Sequence, residues 1–212
     1  RAGGCDHTVS KILATGGSAN AVSADLSNAE QVAAMAEEAM GLKGNIDILV
    51  NNGGTIHRAP ASDFPLSAWQ HVLAVNLDSA FILSQAIGRN MIQQQQGKII
   101  NIASMLSYSG GITVPAYTAS KHAIAGLTKA LANEWGQFNI QVNAIAPGYI
   151  KTDNTQALQD DEKRSSEICA RIPAGRWGQT DDLAGAVVFL ASQASNYVNG
   201  HTLAVDGGFL AR

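Results

Sequence analysis

Ser104, Tyr117 and Lys121 carry the strongest chemical signal in the chain, lying 13 and then four positions apart. On a helix, residues i and i+4 share a face, so an ammonium at Lys121 can sit beneath the phenol of Tyr117 and favour its ionised form. Such a tyrosine is an acid/base candidate. Moving a phenol from about 10 to about 7 requires about 4 kcal/mol of differential stabilisation. The Ser104 hydroxyl can hold the oxygen that the tyrosine protonates.

Apolar runs of four to eight residues alternate with longer helical patterns, which predicts an α/β fold: a three-layer, doubly wound parallel sheet. Strands are expected at Ala21–Ala24, Ile46–Val50, Lys98–Ile102, Ile140–Ile145 and Thr202–Val205. Ser27-x-x-Glu30 reads as a capping box, with Val32, Met35, Ala36, Ala39 and Met40 at helical spacing up to Gly41. Further helices are expected over about 67–93, about 117–137 and, N-capped by Thr180, up to about Ser192. The polar, charge-rich stretch Asp153–Ile172 reads as a mobile lid. Thr15-Gly16-Gly17 follows a short helical pattern, Val9–Ala14, and reads as its C-cap.

At 212 residues, 46% apolar and 15% charged, the chain suits one domain with a sizeable core. A net charge of -3 argues against a nucleic-acid partner. The apolar runs are too short to cross a bilayer, so no membrane partner is expected, and the expected compartment is the cytoplasm. Cys5 and Cys169 lack paired spacing and read as reduced thiols. No metal is expected, because no two of His7, His57, His71, His122 and His201 have metal-ligand spacing.

From Asp25 onward the chain resembles the short-chain dehydrogenase/reductase family. The resemblance rests on Asn51-Asn52-Gly53-Gly54, Asn76 in Val75-Asn76-Leu77, Ser104, Tyr117 with Lys121, and Pro147-Gly148 before Ile150 and Thr152. It implies a Rossmann-like domain that uses NAD, with NADP as the alternative. Tyr117 is then the proton donor or acceptor, Lys121 lowers its pKa with help from a cationic nicotinamide ring and binds the nicotinamide ribose, and Ser104 orients the substrate carbonyl. Asn76, in a locally opened helix, would hold a water linking Lys121 to solvent. Asp25 would meet the adenine, and Asn51, Asn52, Gly53 and Gly54 the adenosine ribose, although the family more often has alanine at the position of Gly53. Pro147, Gly148, Ile150 and Thr152 would frame the carboxamide.

The same comparison implies a domain over 1–212 that is N-terminally incomplete, lacking the first strand, its glycine-rich turn, the first helix and the second strand. Gly97–Met105, Val114–Gly126, Val142–Thr155, Arg171–Gly178 and Tyr197–Gly208 resemble members acting on deoxy sugar acids of the 2-deoxy-D-gluconate or 2-dehydro-3-deoxy-D-gluconate type. The implied substrate is a small sugar acid. Its carboxylate needs a cation and its hydroxyls need donors, for which Arg58, then His57 and Tyr149, are the candidates. A gluconate 5-dehydrogenase, a 3-oxoacyl carrier-protein reductase and a catalytically silent nucleotide-binding scaffold remain open. The family analogy also implies a homotetramer.

Overall fold

The computed structural model describes residues 5–212. Helix α1 (Asp6–Ala14) and helix α2 (Ala29–Lys43) precede β1 (Ile48–Asn51). Then come α3 (Leu66–Leu73), a π-helical turn (Ala74–Asp78), α4 (Ser79–Gln94) and β2 (Gly97–Ile102). The chain continues through α5 (Pro115–Trp135), β3 (Ile140–Pro147), α6 (Gln156–Gln159), α7 (Glu162–Arg171), α8 (Ala184–Ala191) and β4 (Thr202–Val205).

The four strands form one parallel sheet in the order β1-β2-β3-β4. Side chains alternate across it because the strand period is two. Ile99 and Val142, paired in register, face α4 and α5 and pack with Ile87, Met91, Leu131 and Trp135. Ile100 and Ile145 face the other way, onto Leu190 of α8. Helices therefore cover both faces, which makes the three layers expected of a doubly wound sheet. Gly88 lets α4 and α5 approach closely, since a Cβ there would lie 2.7 Å from the Trp135 ring.

Residues 21–24 do not form the expected strand. A strand exists only through a neighbour's donors and acceptors. Among the described residues β1 pairs with β2 alone, and Val50 on it is 41% exposed. The cap of α2 also moves by one residue: the Asn28 side chain accepts from Gln31 N, while the Ser27 hydroxyl turns back to Asp25. The helical stretch over 67–93 is two helices joined by the π turn. Gln179, one residue before Thr180, caps the 3-10 turn that leads into α8. Thr15-Gly16-Gly17 does end α1: Gly16 has φ 80° and Gly17 N donates to Ile12 O. The stretch 153–172 folds as a 3-10 turn followed by α6 and α7, with Ile168 and Ile172 buried against Met105, Trp177 and Phe209.

Burial ranks these positions. Removing the fully buried Ile99 side chain by Ile99→Ala should cost about 2–5 kcal/mol. Val50→Ala at the exposed edge should cost under about 1 kcal/mol. Urea unfolding of the two variants checks this, and equal costs would contradict the assigned faces.

Candidate active site

Sequence places the reacting groups on two elements that meet at the C-terminal end of the sheet. Ser104 leaves β2 in an extended conformation, and its hydroxyl accepts from Leu106 N at 3.1 Å, capping the turn Met105–Ser107. Pro115 opens α5, where its missing N–H leaves no helical bond unmade. Tyr117 then falls in the first turn of α5 and Lys121 in the next. Lys121 is 4% exposed. Its Nζ donates to Ile102 O at 2.6 Å and lies 5.5 Å from the Tyr117 ring centroid. The ammonium thus sits under the ring, tied to the end of β2.

Burial pushes the Tyr117 phenol above its ordinary value, and the Ser104 hydroxyl and the positive charge of Arg58 oppose it. Burial also pulls Lys121 down to about 8. In the protein alone burial dominates the phenol; the expected lowering by Lys121 involves a cationic nicotinamide ring as well.

Asn76 lies in the π turn and is 2% exposed. Its Oδ1 accepts from Thr55 N at 2.7 Å, and its Nδ2 donates to Thr55 O and to Ser120 Oγ, each at 3.0 Å. Both amide protons are engaged, so the side chain clamps the loop after β1 to α5. The extra residue of the π turn gives the local opening expected of this helix.

The Asn51 side chain turns away from the crevice. Its Nδ2 donates to Ser84 Oγ and Asn101 Oδ1, and Asn101 in turn donates to Thr128 Oγ1. This buried ladder joins β1, β2 and α5, and Asn101 and Thr128 were not anticipated. A lone asparagine between Ile100 and Ile102 was the available signal, because a buried amide needs partners. Asn52, Gly53 and Gly54 stay exposed at the end of β1. Asp25 is exposed, and its carboxylate accepts from the hydroxyl and the N–H of Ser27, which hold it below the usual carboxylate range.

Beyond Pro147, a Cβ on Gly148 would lie 2.6 Å from Asp206 Cα, so glycine keeps the end of β3 against the turn after β4. Ile150 is buried and bridges to Gly178. Thr152 is exposed, with its N–H donating to Thr155 Oγ1. Tyr149 packs edge-on to Trp177 at 5.3 Å and Phe209 at 5.4 Å, lining a cleft of about 410 Å³ with residues of α7. Its ring packs in the cluster that includes Met105. The His57 ring meets Phe64 edge-on at 5.3 Å, and Arg58 is exposed.

This arrangement can hold a carbonyl or hydroxyl oxygen between Ser104 and Tyr117, with the Lys121 ammonium beneath the phenol ring. Comparison with known proteins agrees with that chemistry. The family described as enoyl-(acyl carrier protein) reductase matches residues 2–210. A 2-dehydro-3-deoxy-D-gluconate 5-dehydrogenase of Bacillus subtilis is 69% identical over 79% of this chain and 66% of its own length. The corresponding protein of Dickeya dadantii is 55% identical over 97% of this chain and 82% of its own. The crystal structure of a gluconate 5-dehydrogenase from Burkholderia cenocepacia, in complex with NADP and tartrate, superposes with a TM-score of 0.93 at 43% identity, covering 97% of this chain and 81% of that one. The chain belongs to the short-chain dehydrogenase/reductase family of oxidoreductases.

The buried lysine gives a stability signature. A base whose folded pKa lies below its unfolded value destabilises the fold fully below the lower value, and the penalty fades as pH rises through the window between them. For Lys121 that window runs from about 8 to 10.5. Lys121→Met should therefore be more stable than the parent by up to about 3 kcal/mol below pH 8, less the lost bond to Ile102. The advantage should shrink toward pH 10.5; denaturant midpoints against pH that stay a constant distance apart would refute this.

Proposed function

We propose that the protein is a nicotinamide-dependent dehydrogenase that interconverts hydroxyl and keto groups on a deoxy sugar acid of the 2-dehydro-3-deoxy-D-gluconate type. The observation that carries this reading is the buried Lys121 ammonium beneath the Tyr117 ring, tied to the end of the strand that delivers Ser104. Arg58 belongs to neither of the ion pairs found among the described residues, Arg164–Glu167 and Arg176–Asp182. Similarity to the Bacillus and Dickeya proteins supports the substrate class.

The residues present fit the nicotinamide end of the dinucleotide. Lys121 spends one of its three protons on Ile102 O, leaving donors for a ribose hydroxyl. A Cβ on Gly54 would meet only Asn76 Oδ1, at 3.6 Å, so the backbone there is open to close approach. Thr152 is exposed after the Pro147-Gly148 turn. Asp25, Asn52 and Gly53 would serve the adenosine end. These contacts address parts common to NAD and NADP. No glycine-rich turn leads directly from a strand into a helix among the described residues, so the reading concerns the nicotinamide end.

When bound, the dinucleotide supplies or takes up hydride. In oxidation, the Tyr117 phenolate takes the proton of the substrate hydroxyl; in reduction, the phenol returns it to the carbonyl oxygen. Ser104 donates to that oxygen and fixes its place. Lys121 supplies positive charge below the ring, and Arg58 holds the carboxylate. Asn76 keeps the Thr55 end of the loop fixed to α5.

A homotetramer remains part of this proposal, supported by the exposed Leu66, Phe81 and Val188. Light scattering should give four chain masses, and a monomer at micromolar concentration would remove this part. Tyr117→Phe should lower kcat by about 10²–10⁴-fold. Arg58→Ala should raise the KM for the sugar acid at least tenfold, with the KM for the dinucleotide within about twofold. Equal effects of Arg58→Ala on both KM values would overturn the anchor, and full activity in Tyr117→Phe would overturn the reaction.

A further inference from the structure

The loop that carries His57 and Arg58 is pinned at its start to α5 through Asn76 and at its far end to the turn before α5. At its start, Thr55 is held through its N–H and its C=O by Asn76, which also bonds Ser120. At its far end, Ala59 N donates to Thr113 O at 3.0 Å. Three residues lie between the pins. The second pin is unusual because Thr113 is β-branched and has φ 62°, a conformation such residues rarely adopt.

The other two non-glycine residues with positive φ have ordinary explanations. Gln95 ends α4 and Asn139 ends the 3-10 turn after α5, where a left-handed residue closes a helix. Thr113 ends no helix. It stands two residues before α5, and its hydroxyl donates only to the adjacent Ile112 O at 2.6 Å. It lies in the turn with Ile112 that leads into α5, and there its carbonyl meets Ala59 N.

We propose that Thr113 is a positioning residue for substrate choice: its left-handed backbone straps the Arg58 loop to the start of the helix bearing Tyr117, fixing the reach from guanidinium to phenol. The site then selects acids whose carboxylate lies a set number of carbons from the reacting carbon. This rests on the reading of Arg58 as the carboxylate anchor. The groups acting on the phenol are Lys121 from α5, Ser104 from the end of β2 and Arg58 from the strapped loop. Loosening the strap weakens only the last of these. Because Arg58 lowers the phenol, its withdrawal moves the rising limb of the oxidation pH profile to higher pH.

The test compares Thr113→Pro, whose ring forbids positive φ, with Thr113→Asn, which tolerates it. Ala59→Pro, which deletes the donor, is the independent second route. In the holoenzyme, the two proline variants should raise the KM for 2-dehydro-3-deoxy-D-gluconate about tenfold, shift the pH limb upward and leave the Kd of the reduced dinucleotide, read by fluorescence quenching, unchanged. Thr113→Asn should stay within about twofold of the parent. Without dinucleotide, the rise in Tm given by D-gluconate should be lost in the proline variants and kept in Thr113→Asn. A folded proline variant with the parental KM and pH limb overturns the strap, as does failure of both to fold, since the bond would then serve stability. If Arg58→Ala alone leaves the KM unchanged, it is the anchor reading that fails, so the two failures are distinguishable.

Discussion

The bond from Lys121 Nζ to Ile102 O is the constraint on which the site depends. It carries a charge into the junction between α5 and the end of β2, where the acid/base and the oxygen-holding serine must meet. Desolvation of an ammonium is costly, and one carbonyl answers only part of it. The lysine consequently holds its proton less tightly than in water. The same burial bears on Tyr117 in the opposite sense, raising a phenol that is neutral when protonated. The phenol thus starts above its ordinary value, a state in which positive charge near its hydroxyl matters. That makes the position of Arg58 consequential.

The reacting groups were legible in the sequence because two rigid periodicities place them. A helix repeats every 3.6 residues, so Tyr117 and Lys121 had to share a face, and a buried strand had to deliver Ser104 at its end. What the sequence did not yield was direction. Spacing puts an ammonium under a ring, but only coordinates show that it turns to Ile102 rather than to the phenol. The same limit applies to Asn51, adjacent to exposed glycines yet turned inward to Ser84 and Asn101.

The misread elements share a second cause, that local pattern competes with partners far along the chain. Ala21–Ala24 alternates suitably for a strand, but pairing decides, and β1 has β2 as its described neighbour. Ser27 and Asn28 are both acceptable caps, and Asp25 claims the serine hydroxyl, leaving Asn28 to the helix. The charge-rich composition of 153–172 hides its helices. Two isoleucines nonetheless bury into the cluster of Met105, Trp177 and Phe209, and burial of that kind is worth about 1.5–3 kcal/mol per side chain.

The two ends of the crevice are built by different means, and this bears on which candidate can select a substrate. Tyr149 is fixed by aromatic neighbours on two sides, so its hydroxyl follows the packing of Trp177 and Phe209. Arg58 is held through its neighbours, by the bonds of Thr55 to Asn76 and of Ala59 to Thr113, and is itself exposed. A side chain locked by packing gives a wall. A charged side chain on a pinned backbone gives reach with limited error, which suits recognition of a carboxylate on a flexible polyhydroxy chain. The left-handed backbone of Thr113 belongs to that second design, since its carbonyl accepts from Ala59 N.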